Sequence, residues 1–152
     1  MKHKTFKQAF MQLFMLVALG FTVFGFTANL GLDSYEIYLN NKLILKQYVN
    51  QPLSLRKLQL EKANANDQLR INYKHCHGNG VGTDRSIAIK DERGNTLKKW
   101  DFADGKGANT NMIIAVGELS RLEREHANQD LSLHYASREL PKGEVLAFLR
   151  ME

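Results

Sequence analysis

Beyond residue 34 the chain alternates apolar and polar side chains in short runs, the period of half-buried β-strands. Tyr35-Glu36-Ile37-Tyr38-Leu39 and Lys42-Leu43-Ile44-Leu45-Lys46-Gln47-Tyr48 predict two strands. Asn40-Asn41 between them suits a two-residue hairpin turn, because asparagine tolerates positive φ. Residues 55–60 form a shorter candidate, and residues 63–67 are a polar loop. Residues 68–75 then place Leu69, Ile71 and Tyr73 on one side and Gln68, Arg70, Asn72 and Lys74 on the other. Residues 85–90 and 96–102 flank Asp91-Glu92-Arg93-Gly94-Asn95, a hairpin signal. Residues 111–116, 131–136 and 144–150 complete the strands, with Leu140-Pro141-Lys142-Gly143 as a turn. Residues 118–126 break the alternation. Leu119 and Leu122 stand three apart among charges, which predicts a short helix crossing between sheets.

Eight or nine strands at short spacing with one small helix predict an all-β domain, an antiparallel β-sandwich or barrel. An immunoglobulin-like sandwich is the leading expectation, with other Greek-key sandwiches next. The cysteine pair and core tryptophan of antibody domains are not present as a set. No internal repeat or low-complexity tract interrupts the pattern.

The first 31 residues read differently. Lys2, Lys4 and Lys7 precede an apolar run centred on residues 13–19, and the first acidic residue is Asp33. That is the charge layout of a secretory leader, with the lysines holding the N-terminus in the cytoplasm. Ala28 offers a cleavage point, although Phe26 then fills the other small-residue position. Residues 9–28 are also long enough to span as an uncleaved helix. The expectation is a signal peptide or N-terminal membrane anchor over 1–31 and one domain over 32–152. The domain would be secreted or periplasmic, held at a membrane only through an uncut leader. No cysteine near the end of the run offers the lipid-bearing residue of a lipoprotein.

Composition narrows the class. With 152 residues, 43% apolar and 24% charged, the chain is neither disordered, nor a disulfide-rich mini-protein, nor a multi-span membrane protein. The net charge of +5 is partly a leader effect. Residues 32–152 carry 18 basic and 16 acidic side chains, which gives no argument for a nucleic-acid partner. A domain of this size buries about two thirds of its unfolded surface and needs no metal or disulfide for stability.

Tyr73-Lys74-His75-Cys76, Lys98-Lys99-Trp100-Asp101-Phe102 and Leu133-His134-Tyr135-Ala136-Ser137 through Lys142-Gly143 resemble segments of small secreted bacterial β-sandwich proteins with no assigned activity. The resemblance covers most of residues 32–152. It implies a one-domain exported β protein and carries over no site residues.

Candidate chemistry is sparse. His75-Cys76-His77 is the most distinctive local feature, since imidazole and thiolate ligate zinc and copper. If the strand continues, His75 and His77 share a face and Cys76 takes the other. His126 and His134 are the available further ligands, but the parity of residues 131–135 points His134 away from the apolar face that His75 follows. A strand end with polar caps is the competing reading. Cys76 is the single cysteine, so an exported chain has no internal disulfide, and a partly buried thiol is expected. The glycines of residues 78–82 precede a strand rather than a helix, which excludes a phosphate-binding nucleotide loop. No nucleophile elbow or zinc-protease motif occurs. Asp101 and Asp104 read as turn chemistry.

Trp100 and Phe102 share a parity with Lys98, while Leu97 takes the other. They are either core residues beside a bulge or an exposed aromatic contact for a protein or a sugar. The leading functional expectation is a non-enzymatic exported module that binds a protein partner or surface ligand, with no cofactor. A metal or redox role of His75, Cys76 and His77, and a glycan-acting enzyme with an unrecognised site, are the alternatives.

Overall fold

The computed structural model describes residues 31–60, 62–76, 80–105 and 111–150. The expected leader or anchor and His77 lie outside them. Among the described residues nine strands form two sheets. The first holds β1 (Ser34–Leu39), β2 (Lys42–Tyr48), β4 (Gln68–Lys74) and β7 (Met112–Ala115) in the order β2-β1-β4-β7. The second holds β3 (Lys57–Gln59), β5 (Arg85–Lys90), β6 (Thr96–Phe102), β8 (Leu131–Ala136) and β9 (Glu144–Arg150) in the order β3-β9-β8-β5-β6. All pairings are antiparallel except β3 with β9. The single helix of the described residues, α1 (Val116–Glu125), carries the chain from the first sheet to the second. No helix among those residues is long and apolar enough to cross a membrane.

The alternation read from sequence sets the faces. Tyr35 and Ile37, then Leu69, Ile71 and Tyr73, then Met112 and Ile114 point inward from the first sheet. Ile87, Ile89, Leu131, Leu133 and Tyr135 answer from the second, and the two sets form one buried cluster. Tyr73 stacks on Tyr135 across the sheets with centroids 4.1 Å apart. Leu119 and Leu122 bring one stripe of α1 to the same core, as their spacing predicts.

Turn chemistry matches the local sequence. Asn40 takes φ +53° in the first hairpin. In the second, Asp91 Oδ1 accepts the backbone N–H groups of Arg93 and Asn95, and Gly94 supplies φ +82°. The candidate strand over 55–60 is shorter than expected. Leu53–Leu55 forms a 3-10 turn, and β3 begins at Lys57. Arg56 explains the interruption, because its side chain turns inward and is buried. The helix starts two residues earlier than expected, at Val116, so an apolar strand runs straight into it.

The register settles the parity of β6. Trp100 stands opposite Ile87 and Lys98 opposite Ile89, both interior positions, and an irregularity follows between Ile89 and Lys90. Trp100, Phe102 and Leu97 are all partly buried against the core.

Candidate functional site

One end of the core is polar, and most of its groups come from connectors. Asp33 immediately precedes β1, and His75 immediately follows β4. Ser137 follows β8, whose inward-facing Tyr135 completes the group. The strand pairing brings them together: β1 lies beside β4, and the two sheets face each other there.

His75 is 6% exposed and tied at both ring nitrogens. Nδ1 lies 3.1 Å from Asp33 Oδ2; Nε2 lies 3.0 Å from Tyr135 Oη and 3.3 Å from Ser137 Oγ. A carboxylate at Nδ1 favours a proton on that nitrogen, which leaves Nε2 facing the Tyr135 and Ser137 hydroxyls. Tyr73 Oη also donates to Asp33 Oδ2 at 3.0 Å, and the Cys76 backbone N–H donates to Oδ1 at 2.8 Å. Burial works against the Asp33 charge, but hydrogen bonds from Cys76 and Tyr73 and the nearby imidazole outweigh it, so the carboxyl sits below its usual range. Burial, reinforced by Asp33, pushes the Tyr73 phenol up.

The connectivity carboxylate–imidazole–hydroxyl is that of a nucleophilic relay, but here the hydroxyl is enclosed. Ser137 is 5% exposed and its Oγ also accepts the Leu140 N–H at 3.2 Å. Gly82 lies over the group. A Cβ there would fall 2.3 Å from Tyr135 Oη and 2.9 Å from His75 Nε2. A side chain at this position would have to displace the tyrosine or the imidazole, so glycine allows the close approach. The Cys76 thiol is no better prepared for nucleophilic work: burial, then its hydrogen bond to the Asp33 carboxylate, push it up.

The surrounding connectors are stitched to one another. Gly105 N donates to Gly82 O at 3.3 Å, Arg138 N to Thr83 O at 2.9 Å, and Asp84 N to Asp104 Oδ1 at 2.8 Å. Glu139 accepts from both the backbone and the hydroxyl of Thr83. These hydrogen bonds outweigh the desolvation of Glu139 and hold its carboxyl at about 2. Beneath them Arg56, 1% exposed, donates to Glu144 Oε1, to Val145 O, to Val49 O at 2.6 Å and to Gln51 O at 3.0 Å. Tyr35 Oη donates to Leu146 O at 2.6 Å, and burial pushes its phenol up to about 12.

A cleft of about 790 Å³ opens beside this cluster on the first sheet. Its wall includes Leu32 and Tyr48, which are 48% and 46% exposed, together with Glu36, Lys46 and Lys74. Tyr73, His75 and Cys76 reach its lining from the polar cluster.

Of the residues singled out from sequence, His75 lies in the cluster and Cys76 at its margin, while His77 is outside the described residues. Ligation by His75 would require breaking the bonds to Asp33 or to Tyr135. No group of three or more potential metal ligands occurs among the described residues. His134 lies on the opposite face of its strand, opposite Ala88, as the parity indicates. Trp100 and Phe102 do not line the cleft, and the Trp100 indole N–H donates to Glu118 Oε2 of α1 at 2.7 Å. Sequence reasoning missed Asp33, Arg56, Tyr135, Ser137 and Gly82 as a set. The usable signal was inward parity, which marks Tyr135 and His75 as interior groups that need partners.

No known protein family, curated sequence or solved structure matches this chain.

Proposed function

We propose that residues 32–152 form an exported, non-enzymatic β-sandwich domain of immunoglobulin-like topology that binds a protein partner at its polar loop end. The observation that carries the reading is the contrast between the closed His75 cluster and the open cleft beside it. The imidazole and the Ser137 and Tyr135 hydroxyls are buried and hydrogen-bonded to one another. The groups that could be recognised, Leu32, Tyr48 and Lys74, are exposed around a concavity. Apolar side chains interleaved with charges suit a peptide segment of a partner.

Topology supports the sandwich assignment. The neighbours β1-β4-β7 correspond to strands A-B-E of an immunoglobulin domain, and β9-β8-β5-β6 to G-F-C-C′. On this correspondence the β4–β5 and β8–β9 connectors are the B–C and F–G loops, the end that variable domains use for recognition. Shared topology is an analogy and not a warrant for function; the cleft supplies the physical argument. Export rests on the basic head and apolar run of residues 1–31.

A photo-crosslinking residue placed at Tyr48, in cells exporting the chain by its own leader, tests the reading. Ile113, 48% exposed on the opposite edge of the same sheet, is the control position. The expected result is one discrete protein adduct from position 48, suppressed by Leu32→Glu, with no counterpart from position 113, on a chain shortened by its leader. Equal or no adducts at both positions, or a full-length cytoplasmic chain, would overturn it.

A further inference from the structure

The outer face of the second sheet, which the cleft does not include, holds a basin of about 170 Å³. The register explains its floor. Ala88 of β5 stands opposite Lys99 of β6 and opposite His134 of β8. In the next row Ser86 stands opposite Ala136. Small side chains in the middle of a sheet face leave a hollow, and long side chains around them make its rim. Lys90, two residues along β5, and Lys142, from the turn before β9, complete that rim with Lys99. Among the described residues no carboxylate lines the basin. Lys99 Nζ does touch Asp101 at 2.7 Å, but both side chains are more than half exposed, so the pair is one that a competing anion displaces at little cost.

This concentration of cations is local. Residues 32–152 exceed neutrality by only two charges. His134 reports the resulting field. Its Nε2 lies 2.9 Å from Ser132 Oγ, and burial, then the Lys90 charge, push it down to about 4. The imidazole therefore meets a ligand at neutral pH as an uncharged hydrogen-bonding group.

We propose that this basin is a binding site for a compact dianionic oxyanion of the phosphomonoester type, charge-paired by Lys90, Lys99 and Lys142 over the Ser86–Ala88–Ala136 floor. Lysine ammonium groups act as point charges on flexible stems, which suits a tetrahedral dianion approached from several sides. The volume accommodates a phosphate group, and the open mouth lets an attached group project into solvent.

The test is a titration of the nitrogen-15-labelled protein with inorganic phosphate, and separately with glycerol phosphate, at fixed ionic strength set by sodium chloride. Saturable shifts at Ala88, Lys99, His134 and Lys142 are expected. Lys90→Gln combined with Lys142→Gln should weaken binding roughly tenfold or more, through loss of two charge-assisted contacts. Lys99→Gln alone gives a milder second test, and Lys42→Gln, exposed on the other sheet and outside both the cleft and the basin, should change nothing. Tighter binding of the ester would identify the terminal group of a larger molecule, and equal binding the free ion. Shifts that stay linear and spread over all lysines, or binding unchanged in the double variant, would overturn the site.

Discussion

The two ends of the shared core solve the same packing problem with different chemistry. Towards α1 the contacts are Leu69 with Ile114, Leu131 with Leu149, and Leu119 and Leu122 of the helix. Such packing is non-directional, and its energy grows with area. At the loop end the core is closed by Tyr35, Tyr73, Tyr135 and His75, with Arg56 and Asp33 behind them. There each buried polar atom demands a partner in the right place. The apolar end tolerates imprecision. The polar end fixes the positions of three connectors, and so shapes the cleft that opens beside them.

The largest effects should come from breaking the polar end. Arg56→Ala leaves Glu144 and the carbonyls of Val49, Gln51 and Val145 without their donor, and should cost about 3–5 kcal/mol in urea unfolding. That matches or exceeds Leu133→Ala at the apolar end, expected at about 2–5 kcal/mol. A far smaller loss for Arg56→Ala would mean that the polar end is decoration.

Gly82→Ala comes next. Its Cβ collides with Tyr135 Oη, so a cost of about 1–3 kcal/mol and altered aromatic signals are expected. Gly94→Ala, with nothing within 4 Å but φ +82°, should cost only about 1 kcal/mol of backbone strain and leave the loop end untouched.

Tyr135→Phe removes the hydroxyl that faces His75 Nε2 while keeping the ring stack. A loss of roughly 1–3 kcal/mol is expected, against near neutrality for the same change at exposed Tyr48.

The last contrast is in pH dependence, and it separates the outer face from the loop end. His134 is lowered from 6.5 to about 4, so its stabilising contribution is complete above pH 6.5 and is lost as pH falls towards 4. His134→Gln should flatten that upper limb of the stability curve. Asp33 and Glu139 are lowered from 3.8 and 4.5, Glu139 to about 2, so they stabilise above those values and lose their contribution as pH falls below them. Asp33→Asn and Glu139→Gln should therefore flatten only the acid limb. Unfolding midpoints measured across this range would show both windows, and a single merged transition insensitive to His134→Gln would contradict the separation.

Much of the fold was legible because its information is local. Alternation over 68–74 and 131–136 assigns each side chain to a face, and the same parity puts His75 inside and His134 outside. The hairpin turns at Asn40 and Gly94 are likewise written in two to five adjacent residues. The site was not legible, because its bonds join residues 42, 60 and 62 positions apart. Asp33 is one more acid until β1 is laid beside β4. Arg56 reads as a polar residue in a leucine-rich run until β3 is laid along β9. Trp100 defied parity reasoning because the interior register of β6 coexists with an irregularity one residue beyond Ile89.

The most direct test of the central claim, that His75 is a tied structural element rather than a ligand or base, is the nitrogen-15 spectrum of its imidazole ring. A single tautomer protonated on Nδ1, protected from solvent exchange and unmoved by equimolar zinc, is the predicted result. A rapidly exchanging ring, or an Nε2 resonance shifted by zinc, would contradict it.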